Sequence, residues 1–193
     1  MIANYELFLY YLSKKLNSHF EEQKPYLACQ KGCSMCCKNA EFPYSKLEAL
    51  YLKLGYVKLD TEIRSIVTKN ILKIKKDRNE FTGDKFLYDC PFLINNECCV
   101  YNYRGIVCRV FGLITVRDED NVNVPFCHEY GLNYSNVIDS KNNKISNEKW
   151  LNTEIKIEPH AFTDISYDFL TGKEIEEKFN INFEEKRPLI DWF

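Results

Sequence analysis

The sequence has little glycine, no long hydrophobic run and almost no net charge, and each shortage excludes a class of function. Seven glycines in 193 residues, with no G-x-G arrangement, argue against the glycine-rich loop of a Rossmann-type nucleotide site. The most apolar run near the start, Leu7 to Leu12, is far too short to span a bilayer. A formal net charge of −2 gives no electrostatic reason to expect a nucleic acid or an anionic membrane as a partner.

The start of the chain also lacks the pattern of a signal peptide. Asn4 and Glu6 precede the short apolar run, Lys14 and Lys15 follow it, and no small-residue cleavage site is present. We therefore expect a cytoplasmic protein, in which thiols stay reduced.

Against these shortages, the nine cysteines stand out. Disulfide pairing fits poorly with an odd count, with a reducing compartment and with the adjacent pairs Cys36-Cys37 and Cys98-Cys99. Unused core thiols would be scattered along the chain, whereas these are concentrated in two stretches, Cys29 to Cys37 and Cys90 to Cys108. The pattern favours metal ligation.

The spacing within the first stretch suits thiolate ligands. Cys33-x-x-Cys36 is the usual chelating pair, and short spacings let one loop supply several ligands at little entropic cost. Because Cys36 and Cys37 are neighbours, their side chains are expected to diverge and to serve two centres, or one centre and its surroundings. Zinc needs four ligands around one atom, and an iron–sulfur cluster spreads four thiolates around a larger core, so spacing leaves both open.

Both stretches together resemble a known family. Cys29…Cys33-Ser-Met-Cys36-Cys37 is followed by Cys90-Pro-Phe-Leu and then by Cys98-Cys-Val-Tyr-Asn-Tyr-Arg-Gly-Ile-Val-Cys108-Arg. In order and internal spacing these blocks are similar to the YkgJ-type cysteine-cluster family, which has a CxxCxxCC block and is described as zinc- or iron-chelating. The resemblance implies a set of eight metal ligands: Cys29, Cys33, Cys36, Cys37, Cys90, Cys98, Cys108 and, at a less regular position, Cys127.

The match leaves some positions open and departs from the family at others. Cys99 occupies a variable position and is the expected spare thiol, and His128 is either a ligand or a surface residue beside one. The first cysteine gap is one residue longer than in the family. Gly105 replaces a proline, and this is expected to loosen the start of any helix that begins there.

A weaker similarity links the chain to the flagellin lysine N-methylases, which carry a similar cysteine cluster. It would imply S-adenosylmethionine as methyl donor and a protein lysine as acceptor. A pocket lined by polar groups beside the cluster would favour such an enzyme over a metal-binding module without chemistry of its own.

Other residues near the cysteines have predicted supporting roles. Arg104 and Arg109 would favour thiolates by their positive charge, or would pair with surface carboxylates. Tyr101 and Phe111 are predicted to pack over the site and to exclude water.

Hydrophobic spacing predicts three long helices. The first covers about Asn4 to Glu22, with Asn4 as N-cap. The second follows the capping box Ser45-Lys-Leu-Glu48 and ends at Gly55. Asp60 is predicted to cap the third helix.

The later part of the chain predicts shorter elements. Leu113 to Val116 and Asn121 to Phe126 flank the acidic Asp118 to Asp120 and suit a β-hairpin or an irregular loop. The polar composition of Asn133 to Lys149 predicts a surface excursion, that is, a loop that lies on the surface. Thr153 to Ile157 is predicted to be a strand.

Two short helices complete the prediction, about Phe162 to Leu170 and Lys173 to Phe179. The predicted fold is therefore mainly α with minor β. We expect a single compact domain over residues 1–193, with cysteine-rich irregular loops around a metal site. The cysteine motifs that form its core cover about residues 29–127.

The function that follows is a metal-binding protein that coordinates an iron–sulfur cluster or zinc through cysteine thiolates, with iron–sulfur slightly favoured. The alternatives are a cluster-dependent, S-adenosylmethionine-using protein-lysine N-methyltransferase and a structural zinc-binding interaction module. Expected partners are the metal ion or cluster and a protein substrate or partner, without nucleic acid or membrane.

Overall fold

The structure is a computed structural model, and it describes residues 1–119 and 121–193. Its helices, in chain order, are α1 Ile2–Glu22, α2 Lys46–Val57, α3 Thr61–Glu80, α4 Ile106–Val110, α5 Asn147–Leu151, α6 Tyr167–Leu170 and α7 Lys173–Phe179. The strands are β1 Pro43–Ser45, β2 Leu93–Ile94, β3 Glu97–Cys98, β4 Thr115–Val116, β5 Val122–Asn123, β6 Ile138–Asp139, β7 Lys144–Ile145 and β8 Lys186–Pro188. The predicted class, mainly α with minor β, is confirmed.

Each strand pairs with a single neighbour, so the sheets within the described residues are two-stranded. The pairs β1–β8, β2–β3, β4–β5 and β6–β7 are all antiparallel. The hairpin predicted around residues 113–126 is confirmed as β4–β5, although Asp120 in its acidic turn lies outside the described residues. Every helix among the described residues is too short or too polar to cross a bilayer.

The chain divides into two compact units. The first unit consists mainly of Ala3–Gln30 and Arg109–Ile181, and the second of Lys31–Cys108 and Asn182–Phe193. The single domain expected from the sequence stays a prediction.

In the first unit, α1 carries the predicted apolar stripe. Its fully buried side chains are Tyr5, Phe8, Leu9, Leu12 and Leu16. The helix begins two residues before the predicted start, so Asn4 is not the N-cap; its side-chain amide instead donates to the Asn180 carbonyl at 3.1 Å.

A second core of the first unit lies where the sequence predicted a surface excursion. Tyr134, Val137 and Ile138 within residues 133–149 are 0% exposed, and the Tyr134 ring stacks on Tyr26 at 5.4 Å. The polar asparagines and serines around them mask this apolar pattern. The prediction of a surface excursion is therefore wrong.

Two other predictions in the first unit are wrong. Residues 153–157 form bends rather than a strand, and the helix predicted from residue 162 begins only at Tyr167. The reason is that the Phe162 backbone pairs with β4 instead, donating to the Ile114 carbonyl at 3.0 Å and accepting from Val116 at 2.9 Å. The helix predicted at 173–179 is confirmed as α7.

In the second unit, the capping box that begins α2 is confirmed. The Ser45 hydroxyl accepts from the Glu48 backbone N–H at 3.2 Å, and the Ser45 N–H donates to the Glu48 carboxylate at 2.9 Å. The helix continues past Gly55, however, to Val57. A Cβ at position 55 would lie 2.5 Å from the Tyr103 ring, so glycine there makes room for Tyr103 and does not end the helix.

Helix α3 follows with Asp60 at the predicted N-cap position, but the Asp60 side chain makes no capping hydrogen bond. Its buried side chains Val67, Ile71 and Ile74 join a core that also includes Tyr44, Leu52, Phe92, Leu189 and Ile190. The strand pair β1–β8 brings residues 186–190 to this core. The apolar segment after residue 187 therefore packs on the core of the second unit.

Candidate metal centre

The two cysteine stretches meet inside the second unit. The Cys90 N–H donates to the Cys37 carbonyl at 2.8 Å, and the Ala40 N–H donates to the Tyr88 carbonyl at 3.1 Å. A short antiparallel bridge between Ala40 and Tyr88 continues the contact. Residues 37–40 of the first stretch and its continuation therefore lie directly against residues 88–90 at the start of the second.

The loop that carries the first cysteines is held against the turn between β2 and β3. Ser34 is buried, and its hydroxyl donates to the Asn96 side-chain oxygen at 3.2 Å. Directly after it, Met35–Cys37 forms one 3₁₀ turn, in which the Cys37 N–H donates to the Ser34 carbonyl at 2.8 Å. This turn fixes the two adjacent cysteines beside the second stretch.

Five thiols of the two stretches influence one another's ionisation through their charges or hydrogen bonds, and we call them the cysteine cluster: Cys36, Cys37, Cys90, Cys98 and Cys108. The Sγ atoms of Cys36 and Cys37 are 3.8 Å apart. The expectation that these neighbours diverge is therefore wrong, because the 3₁₀ turn brings both sulfurs to one side. In a tetrahedral zinc site with Zn–S bonds of about 2.3 Å, two sulfurs are also separated by about 3.8 Å.

The thiols of the cluster affect one another's ionisation. The hydrogen bond with Cys37 lowers the pKa of Cys36 to about 7, although burial opposes the shift, and the same bond raises the pKa of Cys37. Burial raises the pKa of Cys90 well above its ordinary value, and the charge of Cys108 raises it further. Burial likewise raises the pKa of Cys108 to about 12, with added effects from Cys36 and Cys98.

Burial is the largest cause of the raised pKa values of Cys90 and Cys108, and the mutual hydrogen bond is the largest cause for Cys36 and Cys37. The charges of neighbouring sulfurs add smaller effects, because each negative charge opposes the next where there is little water. A bound cation would reverse the balance and would displace the thiol protons.

Backbone N–H groups already point at two of the sulfurs. Burial raises the pKa of both Cys90 and Cys98, but a hydrogen bond from the Phe92 backbone lowers it for Cys90, and one from the Val100 backbone lowers it for Cys98. In each case the donor lies two residues after the cysteine. Such donors stabilise thiolates, the form of cysteine that binds metals.

Arg104 supplies the positive charge that the sequence predicted. The largest effect on the pKa is the hydrogen bond with Cys37 for Cys36, and burial for Cys98 and Cys108. The charge of Arg104 lowers the pKa of all three thiols. The guanidinium stacks on the Tyr101 ring at 3.5 Å and donates to the Cys108 carbonyl at 3.3 Å. Tyr101 itself is 59% exposed. The prediction that it packs over the thiols is therefore wrong, and its ring instead stacks on Arg104.

Two residues at the site were not predicted as part of it. Tyr44 is buried, and its hydroxyl lies 3.2 Å from Cys108 Sγ. Glu48 is 0% exposed. Its carboxylate oxygen Oε1, which the capping box does not use, accepts from the Ile106 N–H at the start of α4, at 2.7 Å. The capping box revealed Glu48 as a helix start only, and no sequence pattern connects residue 44 with residue 108.

The remaining predicted residues lie elsewhere. Cys33 is exposed in its loop. Cys29 belongs to the first unit, where the side-chain amide of Asn133 donates to its sulfur at 3.1 Å. Cys127 and His128 are buried in the same unit, which also contains Arg109, and Phe111 packs there on Phe126 at 5.3 Å.

A groove of about 280 Å³ adjoins the cluster on one side, between the end of α2 and residues 98–103. Cys98 and Cys99 line it together with polar or aromatic side chains from Lys58, Tyr101, Asn102 and Tyr103. The Lys58 ammonium donates to the Tyr103 hydroxyl at 2.7 Å. The groove therefore combines thiols, a cation and aromatic rings.

Across the described residues, no group of three or more Cys, His, Asp or Glu side chains has the arrangement of a formed metal site. The donor set still fits a metal in its chemistry, since five thiols with backbone donors and an arginine suit thiolate ligation. No family model matches the chain, and neither a curated protein nor a solved structure shows a significant similarity to it.

Proposed function

We propose that the protein binds a metal through thiolates of the cysteine cluster in the second unit. The observation that carries this proposal is the meeting of Cys36 and Cys37 with Cys90, Cys98 and Cys108, which are far apart in sequence. Membership of the YkgJ-type cysteine-cluster family, and a place in the reducing cytoplasm, are parts of the same proposal.

An iron–sulfur cluster is proposed ahead of zinc. The predicted ligands lie on loops around an apolar body, and the larger core of a cluster can join thiolates that are farther apart than those around one zinc ion. The 3.8 Å between the Cys36 and Cys37 sulfurs is the observation that keeps zinc as the alternative. Cys29, Cys33 and Cys127 stay in the predicted ligand set. Single serine variants of these residues can show which of them bind the metal.

Purification without oxygen tests the proposal. We expect a brown protein with iron and acid-labile sulfide, measured by elemental analysis and a visible spectrum. A colourless protein with stoichiometric zinc would contradict the iron–sulfur cluster and would identify zinc as the bound metal. A protein that retains neither metal after reconstitution with each would end the proposal.

A second candidate function is favoured by the groove beside Cys98 and Cys99. Its polar lining is the feature that the sequence associated with an enzyme, the cluster-dependent protein-lysine N-methyltransferase. In this function the groove would receive a small substrate or cofactor next to the metal centre, with Lys58 as its cation.

Titration of the metal-loaded protein with S-adenosylmethionine tests the second candidate. Binding in the groove predicts a saturable heat that weakens in Lys58→Gln and is unchanged in Lys141→Gln, a matched exposed lysine of the first unit. Absence of any heat with the loaded wild-type protein would remove S-adenosylmethionine and leave the metal-binding module.

A further inference from the structure

The hydroxyl of Tyr44 lies between a backbone donor and a cysteine sulfur. The Gly105 backbone N–H lies 3.1 Å from this oxygen, and Cys108 Sγ lies 3.2 Å from it. A backbone N–H can only donate, so the oxygen is the acceptor of that bond. The single phenolic proton is then available to the sulfur, and the thiolate of Cys108, which carries no proton, can only accept it.

From this geometry we propose that Tyr44 is a positioning residue for the metal centre, which donates its phenolic proton in a hydrogen bond to the thiolate of Cys108. The inference rests on the proposed function, since Cys108 must be a metal ligand. Tyr44 would then control how strongly the Cys108 sulfur donates electron density to the metal.

The surroundings of Tyr44 hold the ring in place. The side chain is 2% exposed, its backbone carbonyl accepts from the Trp192 indole N–H at 3.0 Å, and β1 pairs with β8 around it. A Cβ at position 105 would lie 2.7 Å from the ring, so glycine at this position lets Tyr44 approach the start of α4. The donor is therefore preorganised before any metal arrives.

A donor to a metal-bound sulfur has two effects. It orients the thiolate, which raises the affinity for the metal, and it withdraws electron density from the sulfur. Removal of the hydroxyl should weaken binding without changing the number of ions bound. It should also lower the energy of sulfur-to-metal charge transfer, because the sulfur then gives up an electron more easily.

Cobalt(II) is the probe for the test, because its bands report thiolate ligation directly in the full-length protein. We expect Tyr44→Phe to bind as many ions as the wild type, with a dissociation constant raised about tenfold or more. Its charge-transfer band should move to longer wavelength. Tyr56→Phe is the control: this hydroxyl contacts Thr68 at 2.7 Å in the same unit, and its loss should leave both quantities unchanged.

The outcomes separate the two proposals. If the wild-type protein binds no cobalt and no other metal, the proposed function fails and the role of Tyr44 fails with it. If the wild type and Tyr44→Phe bind equally and have the same spectrum, only the role of Tyr44 is overturned. Should Tyr44→Phe not fold, 3-fluorotyrosine at position 44 keeps the size and the proton while it strengthens the donor. The band should then move to shorter wavelength, and an unchanged band would overturn the inference.

Discussion

Serine in place of Cys90 or Cys108 is expected to abolish metal retention. Both thiols are partly buried members of the cysteine cluster. The Cys108 sulfur lies 3.2 Å from the Tyr44 hydroxyl, and the Cys90 N–H donates to the Cys37 carbonyl at 2.8 Å. Serine keeps the size but is a far weaker ligand for a soft or borderline metal. Metal content per chain, measured after desalting, should fall from stoichiometric to background.

Cys99→Ser is the matched control for this experiment. Cys99 lies in the same stretch and is also partly exposed, but it lines the groove and is the expected spare. It should keep its metal. Retention by both Cys90→Ser and Cys108→Ser would contradict the proposed ligands, and loss by Cys99→Ser would add Cys99 to them.

Alanine in place of Gly105 is expected to destabilise the second unit even without metal. The added Cβ would lie 2.7 Å from the Tyr44 ring and 2.8 Å from a Glu48 carboxylate oxygen, and both groups are buried. Overpacking of this kind costs about 1–3 kcal/mol. The free energy of unfolding of the metal-free protein, measured in urea, should fall by this amount.

A surface change in the same unit serves as the reference for Gly105→Ala. Glu97 is exposed and lies 3.8 Å from the equally exposed Lys31, so Glu97→Ala should change stability by less than about 0.5 kcal/mol. Equal stability of Gly105→Ala and the wild type would mean that the packing around Tyr44 is looser than described. Gly105→Pro should be destabilised as well, because proline lacks the N–H that Tyr44 accepts.

The expected effect of Gly105 differs from the one that the sequence suggested. Against the family pattern, the missing proline was expected to loosen the start of a helix. In the structure, position 105 is crowded, and its N–H is used by Tyr44. A local rule about the first helical turn was outweighed by a contact between residues that are distant in sequence.

The same distinction explains which parts of the fold could be predicted. Ser45 with Glu48, and the stripe of α3, depend on residues three or four positions apart, so their pattern is visible in the sequence. Tyr134 and Val137 are buried among polar neighbours, and only the opposing Tyr26 reveals why. Contacts of that kind have no local signature.

For the candidate site, the sequence predicted the thiols but not their arrangement. The motif identified the two stretches, and the structure brings five of the eight predicted ligands together. The 3₁₀ turn that aligns the sulfurs of Cys36 and Cys37, and the donors from Tyr44 and the backbone, depend on dihedral angles and on tertiary packing. Residue types alone do not specify either.

The pairing of β1 with β8 has a consequence for the newly made protein. The cysteines up to Cys108 are translated well before Lys186–Pro188, the strand that holds β1 and Tyr44 in place. At about 5–20 residues per second, this interval lasts roughly 4–16 s. During it the five sulfurs lack the strand that holds Tyr44 in place, so we expect the proposed metal to be retained firmly only after residues 186–192 have been made.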